Sequence, residues 1–167
     1  MRRQGVGLTG IGARCRDEGA GRRATLDQVN AVGDVRDPDT VALVAGTRDG
    51  AEGRRLMDSA KELLAGATLG GFAAPEHTTI GVVATNAGLD RAGAAMLASL
   101  GMLGFARALS PPHTAFDGDT LFTLALGDVR ADLTRLGVAA ADAVARAICR
   151  AVRAAASLPH LPAARDL

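Results

Sequence analysis

One β-branched run narrows the folds open to this chain. Residues Thr79 to Thr85 read Thr-Ile-Gly-Val-Val-Ala-Thr, a composition that suits a pleated, buried strand. Ahead of the run stand His77 and Thr78. Before those, Gly66 to Pro75 carries three glycines, small residues and a proline, which reads as an exposed loop. A loop that delivers a hydroxyl to the mouth of a buried strand suggests chain cleavage. Cutting the His77–Thr78 bond would put a hydroxyl and a free α-amine on one residue. An α-amine titrates at about 7.7–8.0, so near neutral pH it can take the hydroxyl's proton without a histidine. Two threonines that merely open a strand account for the same residues, and on this stretch alone that is the simpler reading.

The 167 residues fit one domain with a real core. Hydrophobic residues make up 48% and charged residues 22%, which is globular rather than disordered. Aromatic residues are 2%, with no Trp or Tyr, so the core must be built from Ala, Val, Leu and Ile. A net charge of +1 gives no argument for nucleic acid or a membrane surface. No apolar run approaches the roughly 20 residues of a membrane span, and Arg2-Arg3 lacks the apolar stretch of a secretory signal. Cys15 and Cys149 form no metal or redox spacing, and a reducing cytoplasm is the simplest location. His77, His113 and His160 show no zinc spacing.

Met1 to Arg23 is rich in Gly and Arg. Its Gly5-x-Gly7-x-x-Gly10 matches a dinucleotide fingerprint, but no strand precedes it and no helical pattern follows, so it reads as a loop or the end of an element. Thr25 to Val32 is a strand ending at Gly33-Asp34, Asp37-Pro38-Asp39 is a turn, and Thr40 to Ala45 is a strand that pairs antiparallel with the first. Glu52 to Ala65 reads as a short helix. Asn86 or Asp90 caps a helix from Asp90 to Leu109, stopped by Pro111-Pro112. Thr120 to Leu126 is a strand closed by Gly127-Asp128. Val138 to Ala156 is a long helix with Val138, Ala141, Val144, Ala145, Ile148 and Val152 on its apolar face. The tail from Ser157 reads as loose. Strands followed by strand-helix-strand-helix give layered α/β or α+β packing, and the residue pattern goes no further.

Three segments carry a resemblance. His77-Thr78-Thr79-Ile80-Gly81-Val82-Val83-Ala84-Thr85-Asn86-Ala87, Val29-Asn30-Ala31-Val32-Gly33-Asp34, and Pro112-His113-Thr114-Ala115-Phe116-Asp117-Gly118-Asp119-Thr120-Leu121-Phe122 are similar, in this order, to motifs of the DmpA/BapA-type aminopeptidases. These are self-processing N-terminal-nucleophile hydrolases (L-aminopeptidase/D-esterase and β-peptidyl aminopeptidase). The likeness runs from about Thr25 to about Ala156. It implies a four-layer αββα sandwich of the DmpA/ornithine acetyltransferase type. It also implies cleavage before Thr78, dividing the chain into 1–77 and 78–167. Thr78 would then be the nucleophile with its own amine as base, and the substrates small peptides, amides or esters. No cofactor or metal is called for, and a homo-oligomer is expected.

The resemblance also gives Asn30 the oxyanion site. A side-chain amide donor there is worth roughly 3–4 kcal/mol to a tetrahedral intermediate. On its residues alone, Asn30 reads first as an asparagine bonded to its own turn next to Gly33. Asp117 and Asp119 take the place of the polar or acidic pair that supports the new α-amine and the nucleophile. Read alone, Asp117-Gly118-Asp119 is a tight Asp-Gly turn. Thr114 can line the same pocket, and His113 reads as a local packing or hydrogen-bonding residue before it reads as a base.

Two departures from the family stand out. The residue before the nucleophile is usually Asn, and here it is His77. Related proteins also carry roughly as much chain again ahead of Thr25, so an incomplete sandwich with an uncovered apolar face is expected. A truncated, non-catalytic fragment and an ornithine acetyltransferase-like acyltransferase are therefore the alternatives to an aminopeptidase.

Overall fold

The computed structural model describes residues 8–10, 14–17, 21–50, 53–67, 77–159 and 162–167. Its main sheet is built from β1 (Leu8–Gly10), β2 (Arg14–Asp17), β3 (Gly21–Val29), β6 (Ile80–Ala87) and β8 (Thr120–Val129). β1 and β2 both pair antiparallel with one edge of β3, β6 pairs antiparallel with its other edge, and β8 runs parallel to β6. A smaller antiparallel sheet has the order β5 (Leu43–Ala45), β4 (Asp34–Arg36), β7 (Leu109–Ser110). The helices are α1 (Ser59–Leu64), α2 (Arg91–Gly101), α3 (Leu103–Ala108) and α4 (Leu133–Ala154).

β6 shows the strand logic directly. Gly81, Val83, Thr85 and Ala87 are buried in alternation with more open neighbours, as a period of two requires. Val83 packs in one core with Leu97 of α2, Phe105 of α3 and Leu136, Val144 and Ile148 of α4. Burying each such side chain contributes about 1.5–3 kcal/mol. α4 is amphipathic, and Asp132 caps it by accepting the Arg135 N–H. The opposite sheet face is apolar and open among the described residues: Ile80, Phe122 and Leu124 are exposed, and Leu126 is 82% exposed.

The small sheet joins the loop after β3 to the segment ahead of β8, with Asp34 opposite Ser110 and Val35 opposite Leu109. Gly33 makes this approach possible, since a Cβ there would lie 2.3 Å from the Pro111 carbonyl oxygen. Asp34 is fully buried. It accepts the Thr47 and Ser59 N–H groups and the Ser59 hydroxyl, which pins α1 to the small sheet. Burial raises its carboxyl above the usual range despite these donors.

Mixed α/β packing is as expected, with local differences. Thr40–Ala45 does not pair with the strand before Gly33; only its Leu43–Ala45 part is strand, β5, and that pairs with β4. The Gly33-Asp34 approach to Pro111 turns the chain into a second sheet there. Of the helix expected over 52–65, Glu52 lies outside the described residues, and within 53–65 the helix is Ser59–Leu64, with Asp58 as its cap.

The helix expected over Asp90–Leu109 is two, α2 and α3, meeting at Met102. Gly101 closes on Leu121 and Gly104 on the Ala141 carbonyl and Val144, so each half follows its own packing partner. β8 continues through Gly127-Asp128 to Val129. Gly127 permits this by lying against Asn86, where a Cβ would meet the carbonyl oxygen at 2.0 Å and the register shifts.

α4 begins at Leu133 rather than Val138, and Val138 is 68% exposed; Leu136 and Ala140 take the core positions instead. The glycine-rich start holds β1 and β2; Gly10 ends β1, and Gly5 and Gly7 lie outside the described residues. The C-terminal tail is tied back: Ala163 is buried and its N–H donates to the Ser157 hydroxyl.

Candidate active site

Residues 77–79 run between the end of β3 and the turn before β8, extending the sheet beyond β6. Thr78 N–H donates to the Asn30 carbonyl at 2.9 Å, Gly118 N–H to the His77 carbonyl at 3.0 Å, and Thr120 N–H to the Thr79 carbonyl at 2.9 Å. His77 and Asp117 form a parallel bridge. The bond between His77 and Thr78 is therefore clamped on both sides by backbone.

The hydroxyl of Thr78 lies on that bond. Its Oγ1 donates to the His77 carbonyl oxygen at 2.7 Å. A Cβ on Gly118 would stand 2.9 Å from this same Oγ1, so the turn leaves the hydroxyl the space of one missing methyl.

The two aspartates have different surroundings. Asp117 Oδ1 accepts the Val32 N–H at 3.1 Å, and its Oδ2 accepts the Thr114 N–H at 2.9 Å and hydroxyl at 2.7 Å. Asp119 Oδ1 accepts the Thr79 N–H at 2.8 Å. Its Oδ2 lies 3.4 Å from His113 Nδ1, and the side chain is 1% exposed. Burial raises the Asp119 carboxyl above the usual range. The Thr79 N–H opposes this, the Asp117 charge adds to it, and His113 draws it back. His113 packs its ring against Phe105, centroids 5.9 Å apart, and has φ of 46°, a left-handed backbone that costs a non-glycine residue energy.

Four residues selected from the sequence, Asn30, Thr78, Asp117 and Asp119, thus meet at one place. His77 stands on the bond itself, Thr114 holds Asp117, and His113 Nδ1 lies 3.4 Å from Asp119. What residue types did not reveal is the Gly118 N–H on the His77 carbonyl and the Val32 N–H on Asp117; the only sequence signal for the first is a glycine between two aspartates. Among the described residues no group of three or more His, Cys, Asp or Glu gathers as a metal site, and no helix is long and apolar enough to cross a membrane.

Comparison with known proteins gives a concordant result. Residues 9–162 match peptidase family S58. An uncharacterised aminopeptidase of Mycobacterium leprae is 39% identical over 150 residues, covering 80% of this chain and 41% of that protein. An uncharacterised aminopeptidase of Mycobacterium tuberculosis is 38% identical over 114 residues, covering 59% of this chain and 33% of that one. The chain thus spans less than half the length of these curated relatives. Among solved structures, a Burkholderia sp. β-aminopeptidase superposes with a TM-score of 0.54 at 20% identity, over 94% of this chain and 44% of that one. The L-aminopeptidase D-Ala-esterase/amidase of Ochrobactrum anthropi, described as a variant of the Ntn hydrolase fold, gives 0.53 at 17% identity, over 89% and 40%. At these identities the structures speak for the fold.

Proposed function

Because the chain belongs to peptidase family S58, we propose that it works as a self-processing N-terminal-nucleophile aminopeptidase that removes N-terminal residues from small peptides, amides or esters. The observation that carries this reading is the 2.7 Å hydrogen bond from Thr78 Oγ1 to the carbonyl of the residue before it. The aminopeptidase names of the mycobacterial relatives support the same activity.

In the first stage Thr78 Oγ1 adds to the His77 carbonyl carbon. The C–N bond to Thr78 breaks and the nitrogen takes the hydroxyl's proton, leaving an ester between His77 and Oγ1. Water hydrolyses the ester, giving a carboxylate on His77 and a free hydroxyl and α-amine on Thr78. The products are residues 1–77 and 78–167. In the second stage the amine acts as base for its own hydroxyl, a substrate acyl group passes to Oγ1 and its amine leaves, and water releases the acid. Asn30, beside Thr78 at the end of β3, is the proposed donor to the substrate oxyanion. Asp119 fixes the backbone next to the nucleophile through the Thr79 N–H, and Asp117 holds the turn through Val32 and Thr114. None of these steps calls for a metal or cofactor.

A non-catalytic fragment is the second reading, favoured by the open apolar face of Phe122, Leu124 and Leu126. An intact mass spectrum after incubation at neutral pH separates the two. Two fragments meeting between His77 and Thr78 support the enzyme; a single mass near 16.9 kDa supports the fragment.

A further inference from the structure

We infer that the backbone N–H of Gly118 is a catalytic group of the self-cleavage step, polarising the His77 carbonyl and receiving the negative charge that forms on its oxygen. This rests on the self-processing reading and adds to it a group that acts on the chain's own bond, distinct from Asn30, which is assigned to substrate.

Three distances converge on one peptide bond. The Gly118 N–H donates to the His77 carbonyl oxygen at 3.0 Å, Thr78 Oγ1 donates to the same oxygen at 2.7 Å, and a Cβ on Gly118 would stand only 2.9 Å from that Oγ1. When Oγ1 bonds to the carbonyl carbon, the C=O electron pair moves onto the oxygen. The hydroxyl can no longer donate to that oxygen, because its own oxygen has become the nucleophile and its proton passes to the Thr78 nitrogen. The Gly118 N–H stays in place. It is a fixed dipole already aimed at the atom where charge develops, which is the arrangement that stabilises a transition state without reorganisation. The two neighbours of Gly118 in the sequence hold the donor still. Asp117 is tied to Val32 and Thr114, and Asp119 to Thr79. Glycine at this position thus does two things: its amide meets the carbonyl, and its missing side chain admits the hydroxyl.

The test measures the first-order rate of chain cleavage by intact mass, on the full chain. Replacing Gly118 with glycolic acid by nonsense suppression turns the amide into an ester, removing the N–H with little change of shape. That variant should cleave about 10²–10³-fold more slowly than wild type, the usual effect of losing one oxyanion donor. Gly118→Ala keeps the N–H but pushes Oγ1 off the carbonyl, and should slow cleavage at least about tenfold. Adding Thr78→Ser to Gly118→Ala, which removes the threonine methyl and frees the hydroxyl to rotate, should restore part of the rate. Rates are compared at a temperature where circular dichroism shows every chain folded. An ester variant that cleaves at the wild-type rate overturns the inference while leaving self-processing intact. A wild-type chain that stays whole overturns both.

Discussion

Asp119 reaches across the strand mouth to accept the Thr79 N–H at 2.8 Å, one residue beyond Thr78. Its neighbour Asp117 has both oxygens occupied by Val32 and Thr114. The Asp-Gly-Asp turn therefore divides its work. Asp117 ties the turn to the loop after β3, and Asp119 sets the backbone at the nucleophile while keeping one buried oxygen toward His113.

Asp119 should make the protein less stable as pH rises across its titration. Burial raises its folded-state carboxyl above 3.8, so the folded chain holds the proton to higher pH than the unfolded chain does. This group's contribution is complete below the unfolded value and declines as pH rises through the raised one. Asp119→Asn keeps an acceptor for the Thr79 N–H and removes the titration. Urea unfolding between pH 3.5 and 7 should show wild type losing stability with rising pH relative to Asp119→Asn. Parallel curves would mean the carboxyl does not titrate as its burial implies. The same variant should mature more slowly, because an amide oxygen holds the Thr79 N–H beside the nucleophile less tightly than a carboxylate does.

Thr78→Ala should leave the chain whole and reduce peptide and ester hydrolysis to background, since attack and base come from one residue. Thr78→Ser should retain both, at altered rates. Mass spectrometry reads the first outcome and release of a chromogenic amine the second. Hydrolysis surviving in a pure Thr78→Ala sample would remove Thr78 as the nucleophile.

The gathering of Thr78, Asn30, Asp117 and Asp119 was legible only through the three motifs that carry the resemblance, since each residue taken by itself has a simpler structural reading. The Gly118 N–H was not, because a backbone amide leaves no mark in residue type. Strand runs such as Thr79–Thr85 were legible within two residues, since β-branched composition is a local signal. The partner of β5 was not, because pairing is decided by where Gly33 lets the chain turn against Pro111. Val138 shows the limit of periodicity in an alanine-rich helix: with small residues all round, several faces look alike, and the start set by the Asp132 cap puts Leu136 rather than Val138 inward.

Asp37 should supply an acid-labile attachment of the 37–41 loop to α4. The Thr40 N–H, the Arg153 guanidinium and the Asp39 N–H hold its carboxyl down to about 2. The folded pKa is depressed, so the contribution is present above the unfolded value of 3.8 and disappears as pH falls toward about 2. Asp37→Ala should destabilise at pH 6 and do so much less near pH 2. Since the pair is exposed, salt should weaken the Arg153 part of the effect. A variant equally destabilised at both pH values would assign the effect to loop geometry instead of charge.

Gly104→Ala separates helix propensity from packing. Alanine in a helix interior is favoured over glycine by about 1 kcal/mol, so propensity alone predicts a more stable protein. In α3, however, a Cβ on Gly104 would meet the Ala141 carbonyl oxygen at 2.5 Å and the Val144 Cβ at 2.7 Å. The first is helix backbone and cannot swing aside, so α3 must shift away from α4 and loosen the contact that buries Phe105. Overpacking of this kind typically costs about 1–3 kcal/mol, which exceeds the propensity gain. Denaturant unfolding should show net destabilisation at an unchanged m-value. A stabilised Gly104→Ala would mean that α3 moves without loss and that the glycine is not what sets its distance from α4.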